Sequence, residues 1–416
     1  MEGSAEAAAV RTVEVELLIA GGNERLTSTR FDLRPAAVGL LCAAAVLAWW
    51  ALKVYSSHGG NWTALFMTGS AGPPPEALRF ENVYVFPHGG YDSQFYHYMA
   101  HDPFLRREFR KSFDAPRLRW RRIFVPACAW ILACGHDRWI DPAYYSVTLA
   151  LFFLGAWWMA RYLVMNGLPA WGGIAFLLLP SSLIILDRLV IDFALTSLCM
   201  GYLVYTREKA AGKLWLVLAA AILTRETGLA LLAAWLVVLL GRREFQRAIL
   251  YATAGIPAMA WFVYVASRTE SVTLEGWGWT YPLGRIIEAI QWSVTHLPAA
   301  PLDRFAIALD VLALAGSAFA VLAGLSSFRR VLDPAEAATA AFALFGLILT
   351  AVAAVEGFTD IFGHARHLGA LTALLACSGF ARRRWVYLAP AASHALRIGL
   401  TLGVGAAAAG RALLAR

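Results

Sequence analysis

Long apolar runs separated by short polar connectors dominate the chain. They lie near 36–53, 143–163, 171–186, 189–205, 214–224, 228–241, 248–267, 305–325, 335–354 and 367–381. A crossing helix needs about 20 apolar residues, and shorter ones suffice inside a bundle. The pattern therefore predicts an all-α fold, a polytopic transmembrane helical bundle of about 10–12 membrane segments. Strand-like alternation occurs at Val13-Glu14-Val15-Glu16-Leu17, followed by Gly21-Gly22-Asn23, and reads as a small hairpin in a cytosolic N-terminal segment, 1–35. The transmembrane domain proper spans 36–384 and carries a long polar loop at 54–121. Within it Ile123 to Cys134 is short and contains Pro126, so it reads as a re-entrant or interfacial piece. The tail 385–416, interrupted by Arg397, reads as a membrane or interfacial helix.

Composition agrees with this pattern. Of the 416 residues 59% are hydrophobic and 15% charged, which excludes an ordinary soluble enzyme because one buried core cannot absorb that much apolar surface. The net charge of +8 is concentrated in short connectors such as Arg242-Arg243, Arg329-Arg330 and Arg382-Arg383-Arg384. Such connectors mark a cytoplasmic side, and Arg25, Arg30 and Arg34 place the N-terminus there too. The basic charge is therefore assigned to the lipid bilayer, and no nucleic-acid partner is expected. The five cysteines lie in apolar stretches and read as small buried hydrophobes. With no Cys-x-x-Cys pair, no metal-ligand set is expected. The basic stretch Arg106 to Arg122 in the 54–121 loop reads as lying along lipid head groups.

Four polar interruptions carry the candidate chemistry, because charge at membrane depth is costly unless it pairs or faces a wet cavity. In the first, Tyr91-Asp92-Ser93-Gln94-Phe95-Tyr96, Asp92 opens a helix and is either its cap or a catalytic base, with Gln94 and Tyr96 placed to meet a sugar. The second, Asp187-Arg188 through Asp192, and the third, Thr224-Arg225-Glu226-Thr227, break apolar runs and present arginines suited to phosphate. Asp187 and Glu226 are their acidic companions. The fourth, Asp360 to Leu368, offers Arg366 with His364 beside it. Under the topology set by the basic connectors, all four open on the exported face and define one polar cavity.

Those stretches, together with Arg121-Arg122-Ile123-Phe124-Val125-Pro126, resemble bacterial integral-membrane proteins of the GT-C glycosyltransferase superfamily, in particular members linked to cell-surface glycopolymer formation. The resemblance spans roughly 36–384. It implies a multi-pass protein of the bacterial inner membrane that transfers a sugar from a polyprenyl-phosphate donor to a hydroxyl of a glycan, lipid or protein acceptor at the exported face. It maps the superfamily's acidic first-loop residue onto Asp92 and its phosphate-holding basic residues onto Arg188, Arg225 and Arg366. Where many members carry two adjacent acids, Asp92 is followed by Ser93. That departure leaves no cofactor expected, with a divalent cation such as Mg2+ or Mn2+ kept open as an alternative. The competing readings are a transporter or flippase for a lipid-linked sugar, and a non-catalytic subunit of a glycopolymer assembly complex in which Asp92 is only a cap.

Overall fold

The computed structural model describes residues 33–70, 74–87, 89–270 and 277–414. Pro35–Arg416 forms one compact unit, and the hairpin expected at 13–23 lies outside the described residues. The described chain is mostly helical, joined by turns and irregular connectors. The strands among the described residues are the two-residue Thr68–Gly69 and Val85–Phe86, which pair in parallel with Thr68 opposite Val85.

Among the described residues, five helices are long and apolar enough to cross a membrane: Arg34–Ser57, Asp137–Val164, Phe245–Arg268, Pro301–Arg330 and Pro334–Val352. Ala211–Thr224, Glu226–Gly241 and Gly369–Arg382 are shorter apolar helices. The outer faces of the long helices suit lipid rather than water. Leu40 and Leu41 on the first, and Ile249, Met259 and Val263 on Phe245–Arg268, stand exposed with no protein over them.

The bundle is built around Asp192–Glu208, whose residues from Asp192 to Thr206 are all buried. A helix apolar on nearly every side belongs in the interior, and its serine and threonine hydroxyls are satisfied within the helix. Ser197 and Thr206 donate to the carbonyls of Phe193 (3.1 Å) and Tyr202 (2.8 Å). Ile140–Val164, Ala211–Thr224 and Gly369–Arg382 pack around this central helix.

Fewer continuous crossings appear than the apolar runs suggest, and the backbone chemistry gives the reason. The run 171–186 is a 3-10 helix, Ala170–Leu178, followed by the short α-helix Pro180–Ile184. Pro180 cannot donate a backbone N–H and biases Leu179 before it to the extended conformation, φ −66° and ψ 142°. Trp49 and Trp50 of the first helix donate their indole N–H groups to the carbonyls of Leu186 (3.0 Å) and Ile185 (2.9 Å), closing over the break that follows. Phe124–Leu132 has nine residues, rising about 14 Å at 1.5 Å each, well short of a bilayer core. The tail helix Ala389–Leu414 lies along Pro301–Leu325, and its Arg397 pairs with Asp310 at 2.8 Å.

Between Ala211–Thr224 and Leu229–Gly241 the chain breaks where the polar Thr224-Arg225-Glu226-Thr227 stretch predicts. Arg225 is extended, with φ −160° and ψ 144°, and Gly228 returns the chain against the preceding helix. A Cβ at Gly228 would lie 2.2 Å from the carbonyl carbon and oxygen of Ala221, backbone that cannot swing aside. Gly228→Ala is therefore expected to lower the unfolding midpoint of the detergent-solubilised protein. Gly212→Ala, where nothing lies within 4 Å, should leave it unchanged or raise stability by up to about 1 kcal/mol. Equal midpoints for the two variants would refute the close approach.

Candidate functional site

The polar interruptions converge on one buried carboxylate. Asp192 starts the central helix, is 4% exposed, and faces two guanidiniums. Its Oδ1 pairs with Arg225, presented by the extended residue between two helices, and its Oδ2 accepts from Arg366 Nε at 2.7 Å. Arg366 sits on Ile361–His367, a helix capped by Asp360, whose carboxylate accepts from Phe362 N–H at 3.2 Å.

From Asp192 the chain of charges runs outward. Arg366 Nη2 donates to Asp92 Oδ2 at 2.7 Å, and Arg119 Nη1 reaches the same oxygen at 2.7 Å. Arg119 holds Asp114 with its remaining edge, at 2.7 and 3.0 Å. On the other side Arg225 Nη2 lies 2.9 Å from His367 Nδ1. A neighbouring arm joins Arg122 Nε to Glu226 Oε2 at 3.1 Å and Arg122 Nη1 to the Tyr96 hydroxyl at 3.3 Å.

Asp92 occupies the N-cap position of Ser93–His101, yet its carboxylate makes no capping hydrogen bond and turns to the two arginines. Burial pushes its pKa up, but Arg119 and Arg366 outweigh burial and hold the carboxyl well below the usual carboxylate range. While both guanidiniums are in place, Asp92 is ionised and only weakly basic.

Of the residues singled out in the sequence, Arg225 and Arg366 meet at Asp192, Asp92 joins them through Arg366, and Tyr96 and Glu226 meet through Arg122. Asp187 and Arg188 form an adjoining group: Asp187 takes Lys53 Nζ at 2.5 Å and Arg188 Nη2 at 2.5 Å. The Arg188 guanidinium lies 4.3 Å from the centre of the Tyr91 ring, which Arg366 also approaches at 5.1 Å. Gln94 has a scaffolding place, its Oε1 accepting from Gly69 N–H at 3.1 Å. His364 contacts His394 at 3.1 Å and Ser317 at 3.4 Å, a buried polar group between helices rather than a member of the Asp92 chain.

The central residue, Asp192, was visible in the sequence only as the third charge of the 187–192 interruption. Arg119 and Arg122 correct the reading of the basic stretch: both turn inward onto carboxylates, while Arg106 and Arg110 remain exposed. The expectation of no metal-ligand set also overlooked His97-Tyr98-Met99-Ala100-His101, two imidazoles one helical turn apart on the Asp92 helix.

No family model, curated protein or solved structure matches the chain.

Removing one partner of a buried ion pair leaves the others uncompensated, at a cost of about 3–5 kcal/mol. Asp192→Asn strands both Arg225 and Arg366 and should destabilise by that order in denaturant unfolding. Asp114→Asn, at an exposed carboxylate, should cost no more than about 1 kcal/mol. Comparable losses would show that Asp192 is not central.

The Asp92 shift fixes a pH signature. Because its folded pKa is depressed, the stability it contributes is complete above its unfolded value near 3.9 and is lost as pH falls through the folded value. The stability gap between wild type and Asp92→Asn should stay constant from about pH 8 to 5 and narrow only below about pH 4. A gap already closing between pH 7 and 5 would contradict the double arginine clamp.

Proposed function

We propose that this protein is a GT-C-type membrane glycosyltransferase that moves a sugar from a polyprenyl-phosphate donor to an acceptor hydroxyl. The setting would be the exported face of a bacterial inner membrane, in cell-surface glycan assembly. The observation that carries the reading is the gradient of exposure along the ion-pair chain. The Asp92 side chain is 24% exposed, whereas Asp192, Arg225 and Arg366 behind it are 3%, 7% and 7% exposed. The Asp92 carboxylate stands at the edge of a buried bank of guanidiniums.

That arrangement suits phosphate departure. Arg366 is anchored to Asp192 through Nε, so its Nη2 can exchange Asp92 for a phosphate oxygen without losing the anchor. Arg119 is similarly anchored by Asp114. A donor phosphate drawing these guanidiniums away from Asp92 raises the basicity of the carboxylate when it is needed. Asp92 then accepts the acceptor hydroxyl's proton. The acceptor oxygen bonds to the anomeric carbon, and the bond from that carbon to the phosphate oxygen breaks, releasing polyprenyl phosphate. Arginine charge stabilises the departing anion. Arg188, stacked on Tyr91, and Arg225, behind Asp192, complete the positive surround.

Sugar transfer from labelled polyprenyl-phosphate donors by the reconstituted protein tests this reading, with wild type beside Asp92→Asn. Loss of general-base function typically costs about 10²–10⁴-fold in rate, and Asp92→Asn should lose transfer by at least that much while remaining folded. Wild-type-like turnover in the variant would sink the assignment. Wild type that moves the donor between leaflets without cleaving it would replace the enzyme by a transporter, and wild type that does neither would leave the subunit reading.

A further inference from the structure

We propose that Glu81, His97, His101 and Asp141 form a structural zinc site that staples the 54–121 loop to the start of the Ile140–Val164 helix. The inference is independent of the glycosyltransferase reading, since none of these side chains belongs to the ion-pair chain around Asp92 and Asp192.

The four residues arrive from three separate pieces of chain. Glu81 ends the 3-10 turn Glu76–Glu81, His97 and His101 face the same way one turn apart on Ser93–His101, and Asp141 is the second residue of Ile140–Val164. One ligand atom from each falls within 4.8 Å of all the others. The closest approaches are His97 Nε2 to Asp141 Oδ1 at 2.7 Å, His101 Nε2 to Glu81 Oε1 at 3.0 Å and His97 Nε2 to Glu81 Oε2 at 3.3 Å. Ligand atoms of a tetrahedral shell with bonds of about 2.0–2.2 Å stand about 3.3–3.6 Å apart. To reach that spacing the closest pairs open by a few tenths of an ångström and the wider ones, up to 4.8 Å apart, close.

Orientation supports a shared centre. The two imidazoles are 0% and 2% exposed, yet His101 Nε2 and Glu81 Oε2 have no hydrogen-bond partner although ionisable neighbours lie within about 3 Å. Close to one another yet without an aligned hydrogen bond, these two atoms are available to a shared ligand. The other nitrogen of His101 lies 3.0 Å from Asp137 Oδ1, and Asp137 is itself gripped by Arg107 at 2.9 and 3.1 Å. A carboxylate on Nδ1 fixes the tautomer that leaves Nε2 free to ligate.

The donor set narrows the metal. Two imidazoles and two carboxylates suit zinc among the imidazole-binding ions and disfavour Mg2+ and Mn2+, which prefer oxygen shells, so the site is distinct from the Mg2+ or Mn2+ that the resemblance leaves open. Two carboxylate charges neutralise the dication within a buried site. Four protein ligands leave no open position, which makes the site structural rather than catalytic. The alternative is a metal-free group in which His97 is protonated between Glu81 and Asp141.

The test is metal content by mass spectrometry of the full chain, purified in detergent through a tag without histidine. About one zinc per chain is expected in wild type, falling to the buffer blank in His101→Ala. Asp137→Asn, which keeps all four ligands, should weaken zinc affinity about 10–100-fold. Should His101→Ala fail to fold, the wild-type protein decides: stripping with a chelator should lower the unfolding midpoint by several degrees, and zinc but not magnesium should restore it. Wild type that carries no zinc and shows no midpoint shift on zinc addition would overturn the proposal, as would zinc retained in full by a folded His101→Ala.

Discussion

Neutralising the Asp192 carboxylate is the constraint on which the polar interior depends. A charge at the start of a wholly buried helix is tolerable only if its oxygens are matched, and the chain brings Arg225 and Arg366 from distant segments to do so. Each arginine then imposes its own geometry. Arg225 requires a break between two apolar helices, with Gly228 packed against Ala221; Arg366 requires the short capped helix Ile361–His367 just before Gly369–Arg382. The interruptions in the apolar pattern are thus the supports of one ion-pair chain rather than separate defects.

That chain also explains why Asp92 differs from an ordinary helix cap. A capping carboxylate would bond to backbone N–H groups in the first turn of its own helix. Here the carboxylate is taken by Arg119 and Arg366, so the Ser93–His101 helix is positioned from outside. Ser93 Oγ, donating to the Phe66 carbonyl at 2.7 Å, and Gln94, accepting from Gly69 N–H, add to that positioning. The strong pairing that orients Asp92 also suppresses its basicity. Proton transfer at Asp92 therefore demands that a competing anion take the guanidiniums first, which ties any chemistry there to occupancy by phosphate or a similar ligand.

Much of the fold was legible because apolar runs and their polar breaks have direct physical meaning. The turn at Arg225 and the non-crossing Phe124–Leu132 helix follow from charge and length alone. The 171–186 run was misread as continuous because hydropathy ignores Pro180 and the conformation it imposes on Leu179. Site residues were found where they interrupt apolar sequence, as with Arg225 and Arg366, and missed where the surrounding chain is polar. Arg119 and Arg122 sit among exposed arginines, and only three-dimensional packing tells which guanidiniums turn inward. Asp192 was read only as the third charge of the 187–192 interruption, because the sequence does not show that Arg225 and Arg366 converge on it. His97 and His101 had a readable signal in their four-residue spacing, but their carboxylate partners come from the 3-10 turn before them and the helix after them.

The Ser93–His101 helix is held at both ends by different chemistry. At its N-terminus Asp92 is fixed by Arg119 and Arg366; along the helix His97 and His101 contact Glu81, Asp137 and Asp141. Nine residues span only about 14 Å, so both sets of contacts act on one short helix. Under the proposed mechanism, exchange of the arginines onto a donor phosphate would leave the histidine contacts to keep the Asp92 carboxylate in register.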